Sequence, residues 1–160
     1  MPTKEVEYCV LIVNKELDEK NVGILKKCEN SLFRLFAYYE ITMAEKTGKS
    51  QIYYDVLSAY RAGQIDTLCI AIDKEYQVYG FIILEADMIT RTLWTSHVYV
   101  DSNVRRSGVY TMMIKRVKKF AEDAKFNRIF SLVHKSNDES QKAHKKLGFT
   151  KQWTGYEMEI

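Results

Sequence analysis

The first third of the chain has the hydrophobic spacing of helices. From residue 17 to residue 46, apolar side chains recur every three or four positions, a stretch that is long enough for two helices and ends at Gly48. A further helical stretch covers residues 51–62, with Gly63 as the glycine that ends it. A short β-branched run at residues 7–14 precedes these helices and predicts a first strand.

The middle of the chain changes to the pattern of strands. Three short runs rich in β-branched and aromatic residues follow one another at residues 67–72, 76–85 and 91–100. The segments at 73–76 and 86–90 separate them and predict hairpin turns. Because short turns join antiparallel neighbours, we expect three antiparallel strands in sequence order.

The last third adds two helices and further strands. Residues 108–125 have the pattern of an amphipathic helix, and residues 128–134 that of a strand. The segment from Ser136 to Glu139 has the pattern of a capping box and predicts a second helix that stops at Gly148. Residues 150–160 predict a terminal strand or pair of strands, because apolar residues alternate there.

This order of elements predicts an α+β fold, which is also described as a three-layer α/β arrangement. A mixed, mostly antiparallel central sheet is covered by helices on both faces, and a strand–helix–strand crossover adds a parallel pair near the C-terminal end. The chain has 160 residues, one proline and no low-complexity stretch, so we expect residues 1–160 to form a single domain.

Composition narrows the class of protein. Hydrophobic residues make up 46% and charged residues 28% of the chain, which is typical of a globular protein and argues against disorder. The longest early apolar run is only strand-sized, so we expect neither a signal peptide nor a membrane span. Cys9, Cys28 and Cys69 stand far apart in apolar surroundings, which predicts reduced core thiols in a cytoplasmic protein and no metal site.

Charge is distributed unevenly. The net charge is −2 over residues 1–80 and +5 over residues 81–160, and the basic second half suits an anionic ligand. The excess is small and base-stacking motifs are absent, so the sequence disfavours nucleic acid as a partner.

The segment from His97 to Tyr110 is the strongest candidate for a binding site. It joins an apolar strand to an amphipathic helix through a loop that carries Arg105, Arg106 and Gly108. Unpaired N–H groups and the dipole at a helix start favour an anion, and glycine lets it approach the backbone closely. The loop lacks GxGxxG and GK[ST], so it predicts a phosphate site that is neither a dinucleotide fingerprint nor a nucleotide P-loop.

Two motifs in order resemble those of a known family. Residues 105–110 (RRSGVY) resemble the Arg/Gln-x-x-Gly-x-Gly/Ala loop of the GNAT superfamily of N-acetyltransferases. Residues 137–149 (NDESQKAHKKLGF) resemble its Asn-x-x-Ala-x-x-Leu-Tyr-x-x-x-Gly-Phe helix. The strand that ends at Val100 stands where the family has a splayed central strand.

The resemblance implies the acyl-CoA N-acyltransferase fold and the transfer of an acetyl group from acetyl-CoA to a primary amine within a ternary complex. The amine would belong to a small molecule or to a protein, and the enzyme would be a monomer or a homodimer. Two alternatives stay open. One is a catalytically silent module of the same fold that binds CoA or a partner, and the other is transfer to an amine of a nucleic acid.

The same resemblance implies the residues that hold the donor. In the family the loop binds the pyrophosphate of CoA, and the backbone of the splayed strand binds the pantetheine arm and polarises the thioester carbonyl. The corresponding residues in this chain are Val98, Tyr99, Val100, Arg105, Arg106, Ser107, Gly108, Val109, Tyr110, Thr111 and Asn137.

The chain departs from the family at the residues that would move protons. His144 stands where most members have a tyrosine that protonates the leaving thiolate, and it is either that acid or a helix-surface histidine.

Trp94 occupies the strand position where some members carry a glutamate base. The nearby base candidates are Glu85, Asp87 and His97, and alternation places His97 on the opposite face from Val98. In the family the first helices form one wall of the acceptor pocket, so the resemblance implies that Tyr39 or Tyr53 lies beside the acceptor, although helical spacing also fits a core role.

Overall fold

A computed structural model describes residues 6–15, 19–50, 54–152 and 155–158. The strands are β1 (Cys9–Asn14), β2 (Thr67–Ile72), β3 (Val78–Asp87), β4 (Thr92–Val100) and β5 (Arg128–Ser131). The helices are α1 (Glu19–Thr47), α2 (Val56–Arg61), α3 (Val109–Asp123) and α4 (Asp138–Lys146), with a short 3-10 turn at Ser102–Val104.

The five strands form one mixed sheet in the order β1-β2-β3-β4-β5. Neighbours are antiparallel from β1 to β4, and β4 pairs with β5 in parallel. Helix α3 makes the crossover between the two parallel strands. The predicted α+β sheet, with its antiparallel strands first and its late crossover, is confirmed.

The sheet separates two apolar layers. One layer packs α1 and α2 against one face, and its largest fully buried side chains include Phe36, Leu32 and Phe81. The other layer packs α3 against the opposite face through Val109, Met113 and neighbouring residues. Phe36 and Phe81 meet edge to face at 4.8 Å between ring centroids, which fixes α1 on β3.

Several predictions about local structure are corrected. Residues 19–47 form one continuous helix and not two, because the buried positions keep helical spacing from Leu25 to Tyr39. The side chain of Asn137, and not that of Ser136, caps α4 by accepting from the Ser140 N–H at 3.3 Å. Cys9 is exposed at the start of the edge strand β1, whereas Cys28 and Cys69 are buried as predicted.

The terminal strand is not found where the chain is described. Residues 150–152 and 155–158 adopt no strand, and residues 153–154 and 159–160 lie outside the described residues. Tyr53 and the start of the second predicted helix also lie outside them.

We expect Phe36→Ala to lower the free energy of unfolding by about 3–5 kcal/mol, because it opens a cavity in a fully buried position. Tyr38→Ala is the matched control, since Tyr38 lies on the same helix but is 47% exposed, and its loss should cost within about 0.5 kcal/mol. Urea denaturation measures both. Equal losses from the two substitutions would contradict this description of the core.

Candidate functional site

A bulge in β4 shapes the centre of the site. Ile83 on β3 pairs with His97, but the next residue, Leu84, pairs with Thr95, so Ser96 is the extra residue. Because one residue is inserted, the alternation of faces reverses at this point: Leu93 packs with α3, whereas Tyr99 packs with α1. The bulge therefore turns Val98 towards α3 and His97 towards α1, as the alternation predicted.

The β4–β5 ladder stops halfway along β4. Pairing runs from Thr92 with Arg128 to Thr95 with Ser131, while β4 continues to Val100. The Asp101 N–H donates to the Tyr79 carbonyl on β3 at 2.8 Å. Since N–H directions alternate along a strand, the amides of Val98 and Val100 point away from β3, to the side that β5 has left.

A cavity occupies this separation. Its lining includes backbone and side chains of β4, the end of β5 and the segment leading into α4, and the α1 residues Tyr39 and Met43 close the other side. The Thr95 hydroxyl in this lining is buried and has no hydrogen-bond partner among the described residues. A buried hydroxyl without a partner is costly, which favours a ligand that would complete it.

The loop after β4 ends in an uncapped helix start. Asp101 accepts from the Asn103 N–H at 2.9 Å and starts a tight turn that leads to Arg106 at φ +67° and Gly108 at φ +86°. Gly108 stands at the N-cap of α3 and offers no side chain to the first amides of the helix. Those amides, on Val109, Tyr110 and the next residue, therefore face the site where the sequence predicts phosphate.

Arg105 is held beside the loop by two acceptors. Its Nε donates to the Val100 carbonyl at 3.2 Å, and its guanidinium lies 3.7 Å from the carboxylate of Glu139 on α4. Glu139 also binds Lys46 of α1 at 3.2 Å, and the hydrogen bond and charge of Lys46, with the two loop arginines, lower the pKa of Glu139. This ionised carboxylate neutralises cations at a place where an anion is expected.

His144 is buried in the same region and is not a surface histidine, since only 7% of it is exposed. Its Nε2 lies 2.8 Å from the Ser131 hydroxyl and 3.2 Å from the Tyr110 hydroxyl, and its Nδ1 lies 2.7 Å from the Ser140 carbonyl. Burial lowers the pKa of His144, and the bond to Ser140 opposes that shift. Tyr110 therefore points into the protein, away from the loop amides, as its position in the helix allowed.

The three base candidates are separated by the fold. Asp87 ends β3, where it accepts from the Thr90 hydroxyl at 2.7 Å, and it lies outside the cavity lining of the described residues. His97 packs against α1, with its Nδ1 2.6 Å from the Tyr39 hydroxyl, and burial lowers the pKa of His97. Tyr39 lines the cavity, so His97 is connected to it through Tyr39. Glu85 is exposed on β3, where it pairs with Trp94, and it lies outside the cavity lining of the described residues.

The other predicted residues differ in their position relative to the cavity. Asn137 caps α4 and lines the cavity, whereas the Tyr99 side chain packs on the far face of β4 against Phe81. The Trp94 ring packs against Phe130 in a tilted arrangement, with 4.6 Å between ring centroids, and it does not reach the cavity lining within the described part of the chain. Of the remaining predicted site residues, Ser107 donates to the Val104 carbonyl, and Arg106 and Thr111 lie in the loop and the first turn of α3.

Sequence reasoning missed Ser131, Thr95 and the Glu139 bridge. The sequence offered only one indication of Ser131, which is its position at the end of a strand. Its hydrogen bond to His144 joins two different elements, so no local pattern predicts it. Thr95 is an ordinary strand residue until the register places it beside Ser131.

The described residues contain neither a metal-ligating cluster nor a membrane-spanning helix. Within them no group of three or more His, Cys, Asp or Glu side chains could hold a metal ion. None of the helices they form is long and apolar enough to cross a membrane.

Sequence comparison assigns the family. The model of the acetyltransferase (GNAT) family matches residues 35–149, which include the loop, the separated strands and α4. The chain belongs to the GNAT acetyltransferase family. No curated protein matches this GNAT chain by sequence.

Solved structures confirm the GNAT fold. A ribosomal-protein-alanine N-acetyltransferase from Brucella melitensis biovar Abortus 2308 superposes with a TM-score of 0.65 at 15% identity, covering 96% of this chain and 100% of its own. The aminoglycoside N-acetyltransferase AAC(6')-Iy in complex with CoA gives 0.64 at 16% identity, covering 100% and 98%. An aminoglycoside acetyltransferase from an uncultured soil metagenomic sample gives 0.65 at 13% identity, covering 96% of each chain.

We expect Gly108→Ala to lower the free energy of unfolding by about 1–2 kcal/mol, because Gly108 has the left-handed backbone that L-residues avoid. Gly23→Ala, within α1, is the control and should raise stability by about 0.5–1 kcal/mol. Neither new Cβ would meet an atom within 4 Å, so only the backbone differs. Urea denaturation should give opposite signs, and a shared sign would contradict the loop geometry.

Proposed function

We propose that this GNAT protein transfers the acetyl group of acetyl-CoA to a primary amine by direct attack in a ternary complex. The observation that carries the proposal is the separation of β4 from β5 at Thr95 and Ser131, next to the uncapped start of α3. An open strand edge and a helix N-terminus are thus placed in succession along one path from Val98 to Thr111.

The chain's own groups suit the parts of acetyl-CoA. The first amides of α3 bind the pyrophosphate, and Arg105 and Arg106 add charge-assisted bonds. The amides of Val98 and Val100 bind the pantetheine arm and donate to the thioester carbonyl oxygen, which gains negative charge during attack. Acetyl-CoA supplies the activated acetyl group. The unpartnered Thr95 hydroxyl gives the cavity one further donor for the bound arm.

The acceptor is an amine of a small molecule or of a protein. The similar proteins include enzymes named for ribosomal-protein alanine and for aminoglycosides, and both classes are amines. Tyr39 on α1 lines the cavity and forms the wall on the acceptor side.

A silent CoA-binding module is the second candidate, favoured by two observations. Within the described residues, the cavity lining includes no carboxylate to act as a base, and Trp94 takes the strand position of the family glutamate. The two candidates share the binding site and differ only in turnover.

Calorimetry with CoA and a thiol-release assay with acetyl-CoA separate the two candidates. The acceptors are spermidine, a peptide that begins with alanine, and sisomicin. We expect CoA binding and thiol release that depends on an acceptor. Binding without release on any acceptor would favour the silent module, and absence of CoA binding would contradict both.

We expect Arg105→Ala to raise the KM for acetyl-CoA by about 10- to 100-fold, since a hydrogen bond to a charged group contributes about 1.5–3 kcal/mol. Arg34→Ala is the matched control, because Arg34 is exposed on α1. Initial rates at varied acetyl-CoA measure both variants. An unchanged KM in Arg105→Ala would show that the loop does not bind the donor.

We expect Glu139→Gln to lower the KM for acetyl-CoA, because loss of the carboxylate frees Arg105 and Lys46 for phosphate. The decrease should be about two- to fivefold, since an exposed ion pair is worth at most about 1 kcal/mol. Glu122→Gln, exposed on α3, controls for the change in net charge. The same initial-rate assay measures both. A higher KM in Glu139→Gln would mean that the carboxylate positions Arg105 and does not compete for it.

A further inference from the structure

A serine and a histidine are paired inside the cavity between β4 and β5. Ser131 is the last residue of β5, and its hydroxyl lies 2.8 Å from Nε2 of His144 on α4. Both side chains line the cavity together with Thr95, which is the partner of Ser131 across the parallel strands. The pair therefore stands where the β4 amides become available to a thioester.

The backbone decides which ring nitrogen of His144 carries the proton. Nδ1 lies 2.7 Å from the Ser140 carbonyl, and a carbonyl only accepts, so Nδ1 donates. Burial holds the pKa of His144 below its ordinary value against the opposing effect of that carbonyl, and the ring is therefore neutral at pH 7. Its Nε2 then has a free lone pair, to which the Ser131 hydroxyl donates. The hydroxyl is thus hydrogen-bonded to a histidine, and a third group orients the histidine ring. Such an arrangement is able to take up a proton.

The groups that surround His144 do not compete for this task. Tyr110 on α3 contacts Nε2, and Tyr39 on α1 stands across the cavity; burial raises the pKa of both phenols, so both stay protonated. His134, on the segment before α4, is bonded to Ser136 at the cavity rim. Among the described residues that line the cavity there is no carboxylate, lysine or arginine.

His97 is less well placed than His144. Its Nδ1 is bonded to the Tyr39 hydroxyl, and Tyr39 stands between the His97 ring and the cavity. A proton would reach His97 only through a phenol, whereas it reaches His144 through a serine that lines the cavity.

We propose that Ser131 and His144 form one proton-transfer pair that serves both halves of acetyl transfer, an inference that rests on the function proposed above. As the amine nitrogen bonds to the thioester carbon, its proton passes to the Ser131 oxygen while the Ser131 proton passes to Nε2 of His144. As the carbon–sulfur bond breaks, the electron pair leaves with sulfur, and His144 returns a proton to it through Ser131. CoA leaves as the thiol, and the ring is neutral again. Tyr110 is a positioning residue whose hydroxyl holds the Nε2 edge of the ring.

The test compares pH–rate profiles of the wild type with those of His144→Gln, Ser131→Ala and Ser136→Ala. Ser136 is the matched control, because its hydroxyl also lies 2.7 Å from a histidine ring nitrogen but on an exposed loop. kcat and KM for acetyl-CoA are measured from about pH 5 to about pH 9, on either side of the ordinary histidine pKa of about 6.5. The acceptors are spermidine, the alanine peptide and sisomicin. Nitrogen-15 NMR of the wild type reports the tautomer of His144 without any acceptor.

Wild-type kcat should fall as the pH drops through the lowered pKa of His144, since the charged ring cannot accept the amine proton. His144→Gln should lower kcat by about 100-fold and remove that acidic limb, with KM for acetyl-CoA changed by less than about threefold. Ser131→Ala should lower kcat by about 10-fold, because the amine proton then has no hydroxyl through which to reach Nε2 of His144. Ser136→Ala should match the wild type, and NMR should find the His144 proton on Nδ1.

Two results are decisive against the inference, and they differ from a failure of the proposed function. If the wild type transfers acetyl but His144→Gln keeps the acidic limb, or if the His144 proton is on Nε2, the pair is wrong while the enzyme assignment stands. A wild type that binds CoA and releases no thiol with any acceptor overturns the proposed function and the pair with it. Ser131→Ala removes one hydroxyl only, so it keeps the test decisive if His144→Gln does not fold.

Discussion

The candidate site depends on one physical constraint, which is that backbone N–H groups need hydrogen-bond acceptors. The constraint applies where β5 stops pairing with β4. β4 and β5 pair only as far as Thr95 and Ser131, and beyond that point no strand of the described residues pairs with β4 on that side. The amides of Val98 and Val100 are left to be satisfied by something other than a strand. The loop that follows leads to the uncapped first amides of α3. The amides of β4 and those of α3 therefore follow one another along the chain.

The remaining elements hold this opening in shape. The bulge at Ser96 sends His97 and Tyr99 into the aromatic layer beneath α1, which anchors the far face of β4. On the near face, α4 is fixed to α1 by Lys46, which bonds both Asn137 and Glu139. The opening therefore has walls from α1 and α4. Its polar lining comes from the last residue pair of the parallel ladder and from the segment that leads into α4.

The order of elements, the crossover and the loop could be predicted because each is written in local patterns. Hydrophobic period marks the strands and helices, and Gly108 and Gly148 mark helix ends through positive φ. The interactions that prepare the site could not be predicted in this way. Ser131 meets His144, and Tyr39 meets His97, across 13 and 58 positions of sequence, and only register and packing bring them together. Ser136 and Asn137 are both residue types that cap helices well. The backbone geometry, and not the residue type, makes Asn137 the N-cap of α4. The family resemblance implied the donor, but it left His144 as either the acid in place of the family tyrosine or a helix-surface histidine.

The central claim is that the amides freed beside β5 are the binding surface for CoA. Amide hydrogen exchange, followed residue by residue with and without CoA, tests it most directly. Binding should slow exchange at Val98 and Val100 and at the first amides of α3 from Val109 to Thr111, while Leu68 and Ile70 in the buried β2 ladder should not change. Binding of CoA with no added protection at Val98 and Val100 would contradict the account.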